Sequence, residues 1–331
     1  MLRLGVFRPE QFFAAPPDRW LPYLYYRLSR SRVSLRLLRS VGDEMFERLM
    51  PHVRLSNGVA RTTFRNRFRN LDPLVNDVLS RNFSSREELV VEDWAASTCL
   101  TSYEWAESLF ALFPRLRFTA SDGMLYLIEV EDAVSGEVFV TEQDGRPLQY
   151  IRPPFAICMA PPESWTAPLN RVGYQWAKRR WRKVGEIGRA PDAWFDWRCE
   201  EMLERNGRLL RKLPLIHPRA LELARRDERF SIRRHSVFER APAPCHVIRS
   251  MNILNRSYFS EHQLFDAARS VAESLHAGGI WIVGRTTCED PPVHDVSVLR
   301  KLDSGLLQVV ERTGAGSEIE SIALDVAAVL A

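Results

Sequence analysis

The sequence near the C-terminus decides the fold: residues 246–255 read HVIRSMNILN, and residues 275–284 read LHAGGIWIVG. Between them, residues 260–276 carry apolar side chains at helical spacing, at Leu264, Phe265, Ala268, Val271 and Leu275. The apolar runs on either side predict strands that are covered on both faces. The pair Gly278-Gly279 predicts the end of the helix and a tight turn. Strand, helix and strand in this order form a parallel β-α-β unit.

A second unit of the same kind is predicted earlier in the chain. Residues 89–94 form an apolar strand with an acidic end, and residues 102–113 form a helix that Pro114 terminates. Residues 116–122 form the next strand, which ends in Asp122. A right-handed crossover then places both carboxyl ends at one edge of the sheet.

Further elements complete the pattern. Residues 217–226 predict a helix and residues 230–235 a third strand, whereas residues 295–302 and 306–312 predict an antiparallel pair. Residues 318–330 fit either a strand or a helix. We therefore predict an α/β fold with a doubly wound, mostly parallel seven-stranded sheet.

The domain organisation predicted from the sequence has three parts. Residues 1–84 form an N-terminal helical region, residues 85–122 and 216–331 form the sheet domain, and residues 123–215 form an insertion. The insertion begins with alternating residues typical of a hairpin, at 125–130 and 137–140, and continues with predicted helices at 169–184 and 193–212. We expect it to serve as a lid or as a substrate subdomain.

Composition narrows the function classes. The net charge of +4 is mild, and the five cysteines are scattered without a CxxC pair. We therefore expect neither a zinc site nor any other metal site, and no disulfide framework. We expect a cytoplasmic location. No stretch approaches the roughly 18 apolar residues of a membrane span. The arginines and aromatics of the N-terminal region predict an amphipathic cap with a solvated basic face. The alternative is a surface for nucleic acid or membrane headgroups.

The ligand of a doubly wound sheet lies beyond the strand carboxyl ends, where the strand order reverses. Residues 92–98, Asp122, 236–238 and 250–255 are expected at that edge. A carboxylate at the end of the second strand can bind two ribose hydroxyls. A turn of small residues lets the backbone approach a charged ligand closely. These features fit any ligand that contains a nucleoside.

Residues 94–98, WAAST, followed by Tyr103, are similar to the first motif of CheR-type methyltransferases. Four later segments resemble, in the right order, the later motifs of the class I S-adenosyl-L-methionine (SAM)-dependent methyltransferases. They are residues 216–224, 230–238, 252–259 and 275–279. The resemblance covers roughly residues 88–312 apart from the insertion. It implies a seven-stranded SAM-binding sheet, with SAM as the cofactor.

The same resemblance implies roles for the first two strand ends. Asp122 would bind the SAM ribose. Glu92 or Asp93, together with Ala95 and Ser97, would hold the methionine moiety. The alternatives are an ordinary turn carboxylate for Asp122 and a helix N-cap for Ser97.

Roles for the later strands follow in the same way. Ser236 and Val237 would flank adenine, and Asn252 would lie beside the transferable methyl group. Methyl transfer mainly requires alignment and exclusion of water, so the candidates for assisting catalysis are Asn252, Tyr258 and His235. The alternative for Asn252 is an amide that caps the backbone of a buried turn.

Two departures from the family pattern matter. Ala95, Ala96 and Ser97 replace the usual glycines of the first motif, and Ser236 stands where the family usually has an aspartate. The first hypothesis is a SAM-dependent methyltransferase acting on a small molecule or on a protein carboxylate or amine. The second is a catalytically degenerate member of the fold that serves as a binding or regulatory subunit, which the missing glycines favour.

Other partners and activities are disfavoured. The DPPY- or NPPY-type tetrapeptide of many base-amino methyltransferases is absent after the fourth strand, which argues against a nucleic-acid substrate. The first turn lacks GxGxxG, which argues against a nicotinamide-dependent dehydrogenase. No membrane partner is expected. The methyl acceptor and the oligomeric state stay open.

Overall fold

The computed structural model describes residues 5–30, 32–58, 61–160, 167–184 and 202–330, together with Trp194 and Arg198. In chain order, the helices are α1 Pro9–Phe13, α2 Trp20–Arg30, α3 Asp43–Leu49, α4 Asp72–Asn82, α5 Leu100–Leu112, α6 Ala167–Val184, α7 Pro218–Arg226, α8 Glu261–Ser274 and α9 Glu320–Leu330. The strands are β1 Val90–Trp94, β2 Arg117–Asp122, β3 Tyr126–Asp132, β4 Val138–Thr141, β5 Pro147–Arg152, β6 Phe155–Cys158, β7 Met202–Arg205, β8 Arg208–Pro214, β9 Phe230–Arg234, β10 Cys245–Met251, β11 Leu275–Glu289, β12 Pro292–Lys301 and β13 Leu307–Thr313. No helix in these ranges is both long and apolar enough to cross a bilayer.

The chain divides into two compact units. One joins Met1–Thr63 with Met124–Pro218, and the other joins Phe64–Gly123 with Arg219–Ala331. The region expected to be a separate N-terminal cap therefore shares a unit with the insertion up to Thr63, and α4 belongs with the seven-stranded sheet.

The second unit is built on a seven-stranded sheet of order β13-β12-β11-β10-β1-β2-β9. The five strands from β9 to β11 are parallel, and β12 and β13 are antiparallel to their neighbours. This confirms the predicted α/β fold with a mostly parallel seven-stranded sheet. In order of appearance the parallel strands run 3-2-1-4-5, so the strand order reverses between β1 and β10.

The core of this sheet explains its apolar runs. Val91, Val247 and Ile248 on the two central strands are fully buried, as expected for parallel strands covered on both faces. Helix α8 begins at a capping box, in which Ser260 and Gln263 exchange hydrogen bonds. Its buried face packs in one apolar cluster with residues of β10, β11 and α9.

One prediction about this region is wrong in detail. Helix α8 ends before the glycine pair, and its C-cap is Leu275 in an extended conformation. Gly278 has φ of +78° and lies within β11, where the register with β10 shifts between Cys245 and Val247. The glycine therefore serves an irregularity of the strand and not the helix end.

A buried ion cluster lies at the point where the strand order reverses. Arg249 of β10 is 1% exposed, and its Nε donates to Asp93 Oδ1 at 2.9 Å. Its Nη1 donates to Asp72 Oδ1 of α4 at 3.1 Å. The guanidinium lies 4.2 Å from the centre of the Trp105 ring of α5, and Ser102 of α5 donates to Asp93 at 2.6 Å. These contacts join two central strands and two helices around one cation.

The first unit contains a six-stranded antiparallel sheet of order β6-β5-β4-β3-β8-β7. Its β3 and β4 confirm the predicted hairpin. The predicted helix at 193–212 is wrong over residues 202–212, which lie in β7 and β8, while most of 193–201 lies outside the described residues. The turn between these strands is Asn206-Gly207, with φ of 53° and 70°, the left-handed pair that a two-residue hairpin requires.

Long-range contacts join the N-terminal segment to this sheet. Leu35 N–H donates to Gln149 Oε1 at 2.8 Å, and Gln149 Nε2 donates to the Val33 carbonyl at 2.8 Å. The fully buried Glu129 receives Arg36 at 3.0 Å and Arg39 at 2.8 Å. A buried carboxylate requires such counter-charges. The N-terminal region, predicted to be helical throughout, is correspondingly interrupted: α2 ends at Arg30, and a 3₁₀ turn, Leu35–Arg39, carries both arginines.

The raised pKa of Asp72 predicts that the free energy of unfolding falls as the pH rises. Burial raises its pKa to about 7 from 3.8, with Asp93 and Glu104 adding to the rise and Arg249 opposing it. The folded state therefore retains a proton that the unfolded chain releases, so this group's contribution to stability is complete below about pH 4 and lost as the pH rises through 7. Asp72→Asn should remove this slope, at most about 1.4 kcal/mol per pH unit.

The measurement is urea unfolding of both proteins from pH 4 to 8. Asp77→Asn, an exposed position on the same helix, serves as the control and should keep the wild-type slope. If the free energy of unfolding changes with pH in the same way for the wild type and for Asp72→Asn, Asp72 does not have the raised pKa assigned to it.

Candidate functional site

The turn after β1 has an unusual backbone. Ala95, Ser97 and Cys99 have φ of 57°, 55° and 58°, so three alternate residues lie in the left-handed region although none is glycine. That conformation costs an L-residue roughly 1–2 kcal/mol. Glycine would adopt this backbone shape without that cost.

The end of β2 holds this turn in place. Ser97 N–H donates to Asp122 Oδ2 at 2.8 Å, and Ala96 N–H donates to the Ser121 carbonyl at 2.9 Å. Cys99 N–H donates back to the Ala96 carbonyl at 2.8 Å, and α5 follows at once. The predicted ribose carboxylate and the predicted methionine loop are thus brought together at one edge of the sheet.

The two acidic residues of β1 have internal partners. Glu92 is buried and receives the indole N–H of Trp94 at 2.7 Å and Arg233 Nη2 of β9 at 2.8 Å. On the other face of the strand, Asp93 is buried against Arg249 and Ser102. Both carboxylates therefore anchor the interior of the sheet, in contrast with Asp122 at the strand end.

Some buried polar atoms at this edge lack a hydrogen-bond partner among the described residues. They include Nε2 of His235, which is 6% exposed, and Oγ1 of Thr98, which is 1% exposed. The His235 ring packs on Trp94, with ring centres 4.5 Å apart. Burial lowers the pKa of His235, so the imidazole is neutral at physiological pH. A buried polar atom without a partner is costly unless a ligand or water satisfies it.

The segment after β9 places its predicted residues differently. Ser236 is followed by a turn in which its hydroxyl accepts from Phe238 N–H at 3.3 Å. Val237 is buried in the apolar cluster that contains Trp94, whereas Phe238 is 40% exposed and contacts Phe259. The exposed aromatic ring belongs to the 236–238 segment expected at this edge and follows directly the two residues predicted to flank adenine.

The residues after β10 support their own turn. Asn252 has φ of 63°, and its Oδ1 accepts from Thr286 N–H at 2.7 Å. Asn255 Oδ1 accepts from the backbone N–H of Ser257 and of Tyr258, both at 3.1 Å. These amides therefore act as backbone caps, the alternative left open by the sequence, while the Tyr258 side chain is 51% exposed.

Sequence reasoning missed the arginines that neutralise β1. The signal was present, because Arg249 interrupts an apolar strand that is predicted to be covered on both faces. Such an arginine requires a carboxylate nearby. Arg233 carried no comparable signal, since it lies among other arginines near a strand end.

A surface cavity of about 360 Å³ lies elsewhere on this unit, at the amino end of β9. Its lining residues are Glu107, Phe110, Leu223, Arg226, Asp227 and Arg229. The charges there are paired with one another, Arg226 with Glu107 at 2.8 Å and Arg229 with Asp227 at 2.6 Å. None of the predicted site residues lines it.

No family model matches the sequence, and no curated protein matches it. Solved structures with a similar fold include the SAM-dependent methyltransferase SibL in its apo form, with TM-score 0.28 and 12% identity over 68% of this chain and 38% of that chain. A second is the O-methyltransferase of neocarzinostatin biosynthesis in complex with S-adenosyl-L-homocysteine and 1,4-dihydroxy-2-naphthoic acid, with TM-score 0.25 and 12% identity over 65% of this chain and 40% of that chain.

A third is an O-methyltransferase family 2 protein from Planctomyces limnophilus in complex with apigenin, with TM-score 0.29 and 10% identity over 67% of this chain and 40% of that chain. The chain thus spans about two fifths of the length of the solved structures it matches.

The left-handed turn predicts a contrast between two neighbouring alanines. Ala95→Gly and Ala96→Gly remove the same methyl group and loosen the unfolded chain equally, but only Ala95 has a positive φ. We expect Ala95→Gly to be more stable than Ala96→Gly by about 1–2 kcal/mol. Urea denaturation of the two variants measures the difference, and equal midpoints would contradict the left-handed backbone at Ala95.

Proposed function

We propose that this protein is a SAM-dependent methyltransferase that acts on a small molecule or on a protein carboxylate or amine. The observation that carries the proposal is the turn at 95–99, left-handed at three non-glycine residues and fastened to Asp122 at 2.8 Å. Strained backbone persists where the surroundings over-determine it, and it clusters at ligand clamps. The turn also lies at the carboxyl edge, beside the reversal in strand order.

The residues at this edge fit the cofactor in part. Asp122 would bind the ribose hydroxyls, and the backbone of Ala95 and Ser97 would line the methionine moiety. Thr98 Oγ1 and His235 Nε2, both buried without a described partner, would bind polar atoms of the ligand. Ser236 and Val237 would flank adenine, together with the exposed ring of Phe238. SAM supplies an electrophilic methyl group on a sulfonium.

Glu92 and Asp93 take a supporting role in this proposal. Glu92 fixes Arg233 and the indole of Trp94, and that indole supports the His235 ring. Asp93 fixes β1 to β10 through Arg249. Neither carboxylate needs to contact the methionine moiety, whose ammonium group would instead donate to backbone carbonyls of the turn and whose carboxylate would accept from the hydroxyl of Thr98.

The chain's own contribution to transfer is positioning. Alignment of the acceptor with the methyl group and exclusion of water provide most of the rate enhancement. The neutral imidazole of His235 is able to accept a proton from an acceptor hydroxyl or ammonium. Tyr258, with its exposed ring, would contact the acceptor, and Asn255, whose Oδ1 accepts from Tyr258 N–H, would hold the backbone on which that ring is mounted. Asn252 would fix the neighbouring turn through Thr286 N–H.

The likeness to CheR-type methyltransferases is part of this proposal and rests on residues 94–98 and Tyr103 alone. The receptor-glutamate substrate of that family is not carried over, because the loop and the spacing after the fourth strand differ from the family pattern.

A second function is favoured by one observation. The side chains of Ala95 and Ser97 occupy positions at which glycine would admit a closer ligand, and Glu92 is neutralised by Arg233. A protein that binds SAM or S-adenosylhomocysteine without transferring methyl, and so acts as a regulatory subunit, would show the same edge. Binding with no methyl transfer across a screen of acceptors would favour this alternative.

The test of SAM binding is calorimetric titration of the purified protein with SAM and with S-adenosylhomocysteine. We expect micromolar affinity, and Asp122→Ala should weaken binding at least tenfold because the ribose loses its carboxylate partner. Asp303→Ala, at an exposed turn between β12 and β13, is the control and should bind as the wild type does.

Circular dichroism of each variant checks that the fold is intact. Unchanged affinity in a folded Asp122→Ala variant would remove the ribose assignment. No binding of either nucleoside up to about 1 mM, a free energy of roughly 4 kcal/mol, would remove SAM as the ligand.

A further inference from the structure

Helix α2 presents the largest group of exposed apolar side chains in the described part of the chain. Eighteen large apolar side chains are exposed there, and six of them fall between residues 13 and 25. These six are Phe13, Trp20, Leu21, Tyr23, Leu24 and Tyr25. Isolated exposed apolar residues are common, but a contiguous group of this size marks an interaction surface.

Three of these six residues share one face of the helix with Arg27. Trp20, Tyr23, Leu24 and Arg27 follow one another at i, i+3, i+4 and i+7. Trp20 is 75% exposed, and the guanidinium of Arg27 lies 5.8 Å from the centre of the Tyr23 ring. Tyr26 lies on another face, is half-buried and donates its hydroxyl to the Ala14 carbonyl at 3.1 Å. The helix is therefore fixed by Tyr26, and its aromatic face is open.

The helix itself carries no acidic residue, and the exposed Asp18 precedes Arg19 at its amino end. Residues 19–42 contain six arginines and no acidic residue. Arg36 and Arg39 form ion pairs with the buried Glu129. Arg19 and Arg27 are exposed, and neither forms an ion pair within the described residues. Two cations thus border the aromatic face, one at each end.

We propose that α2 docks on the surface of an anionic lipid bilayer and lies in the plane of the interface. Tryptophan and tyrosine rings are favoured at the level of the headgroups. Interfacial helices combine an apolar face of Trp, Phe and Leu with flanking arginines that attract anionic lipids. With 11 residues, the helix is too short to cross a bilayer. The sequence analysis expected no membrane partner, and we propose one at this surface alone.

Charge complementarity selects the bilayer over other occupants. The exposed apolar rings require a medium that is apolar below and polar above, and the bordering arginines require a dense layer of negative charge at the polar level. An anionic bilayer provides both at once along the full helix. The proposal is independent of the methyltransferase proposal, since α2 belongs to the other compact unit.

The experiment is flotation of the full chain with vesicles of phosphatidylcholine alone and of phosphatidylcholine with 30 mol% phosphatidylglycerol. We expect binding to the anionic vesicles, at least tenfold weaker in the triple variant Trp20→Ser, Tyr23→Ser, Leu24→Ser. The variant Arg19→Gln, Arg27→Gln should lose on the order of fivefold per arginine. Val134→Ser, at a turn residue that is 97% exposed, is the matched control and should bind as the wild type does.

Four results would overturn the proposal. The first two are absence of binding to the anionic vesicles and equal binding by the triple variant when circular dichroism shows that it is folded. The third is equal binding to neutral and anionic vesicles, which would contradict the role of Arg19 and Arg27. The fourth is a dimer in light scattering that the triple variant converts to a monomer, which would assign the face to a second copy of the chain.

Discussion

The buried guanidinium of Arg249 is the constraint around which the seven-stranded sheet is organised. An arginine that is 1% exposed has lost its hydration, and only close carboxylates compensate that cost. Asp93 supplies one from the neighbouring strand, and the carboxyl group of Asp72 on α4 accepts a further hydrogen bond from the guanidinium. The cation therefore fixes β1, β10 and α4 at the place where the strand order reverses.

That arrangement bears directly on the candidate site. Because side chains alternate along a strand, β1 sends Asp93 to Arg249 on one face and Glu92 to Arg233 on the other. Both carboxylates of β1 are therefore paired with arginines. The chain then enters the strained turn, in which Ser97 N–H donates to Asp122 of β2. The groups at this edge that we propose meet a ligand are the Asp122 carboxylate, the buried Thr98 hydroxyl and the buried His235 imidazole.

The sequence predicted the parallel sheet well, because its strands are apolar runs separated by clearly periodic helices. It failed at β7 and β8, where charged residues mask the alternation and the Asn206-Gly207 turn was not weighed against helical spacing. It also gave no means to foresee that Gln149 would bind Val33 and Leu35, since such contacts depend on folding of distant segments. For the site, the positions of Asp122 and the turn followed from the strand ends, whereas the ion pairs of Glu92 and Asp93 required coordinates.

The most direct test of the account is hydrogen–deuterium exchange with and without S-adenosylhomocysteine. The account predicts slower exchange of the backbone N–H groups at residues 95–99 and 235–238 when the ligand is present, with β12 and β13 unchanged. Slower exchange confined to other segments, or no change at any segment with millimolar ligand, would contradict a nucleoside site at this edge of the sheet.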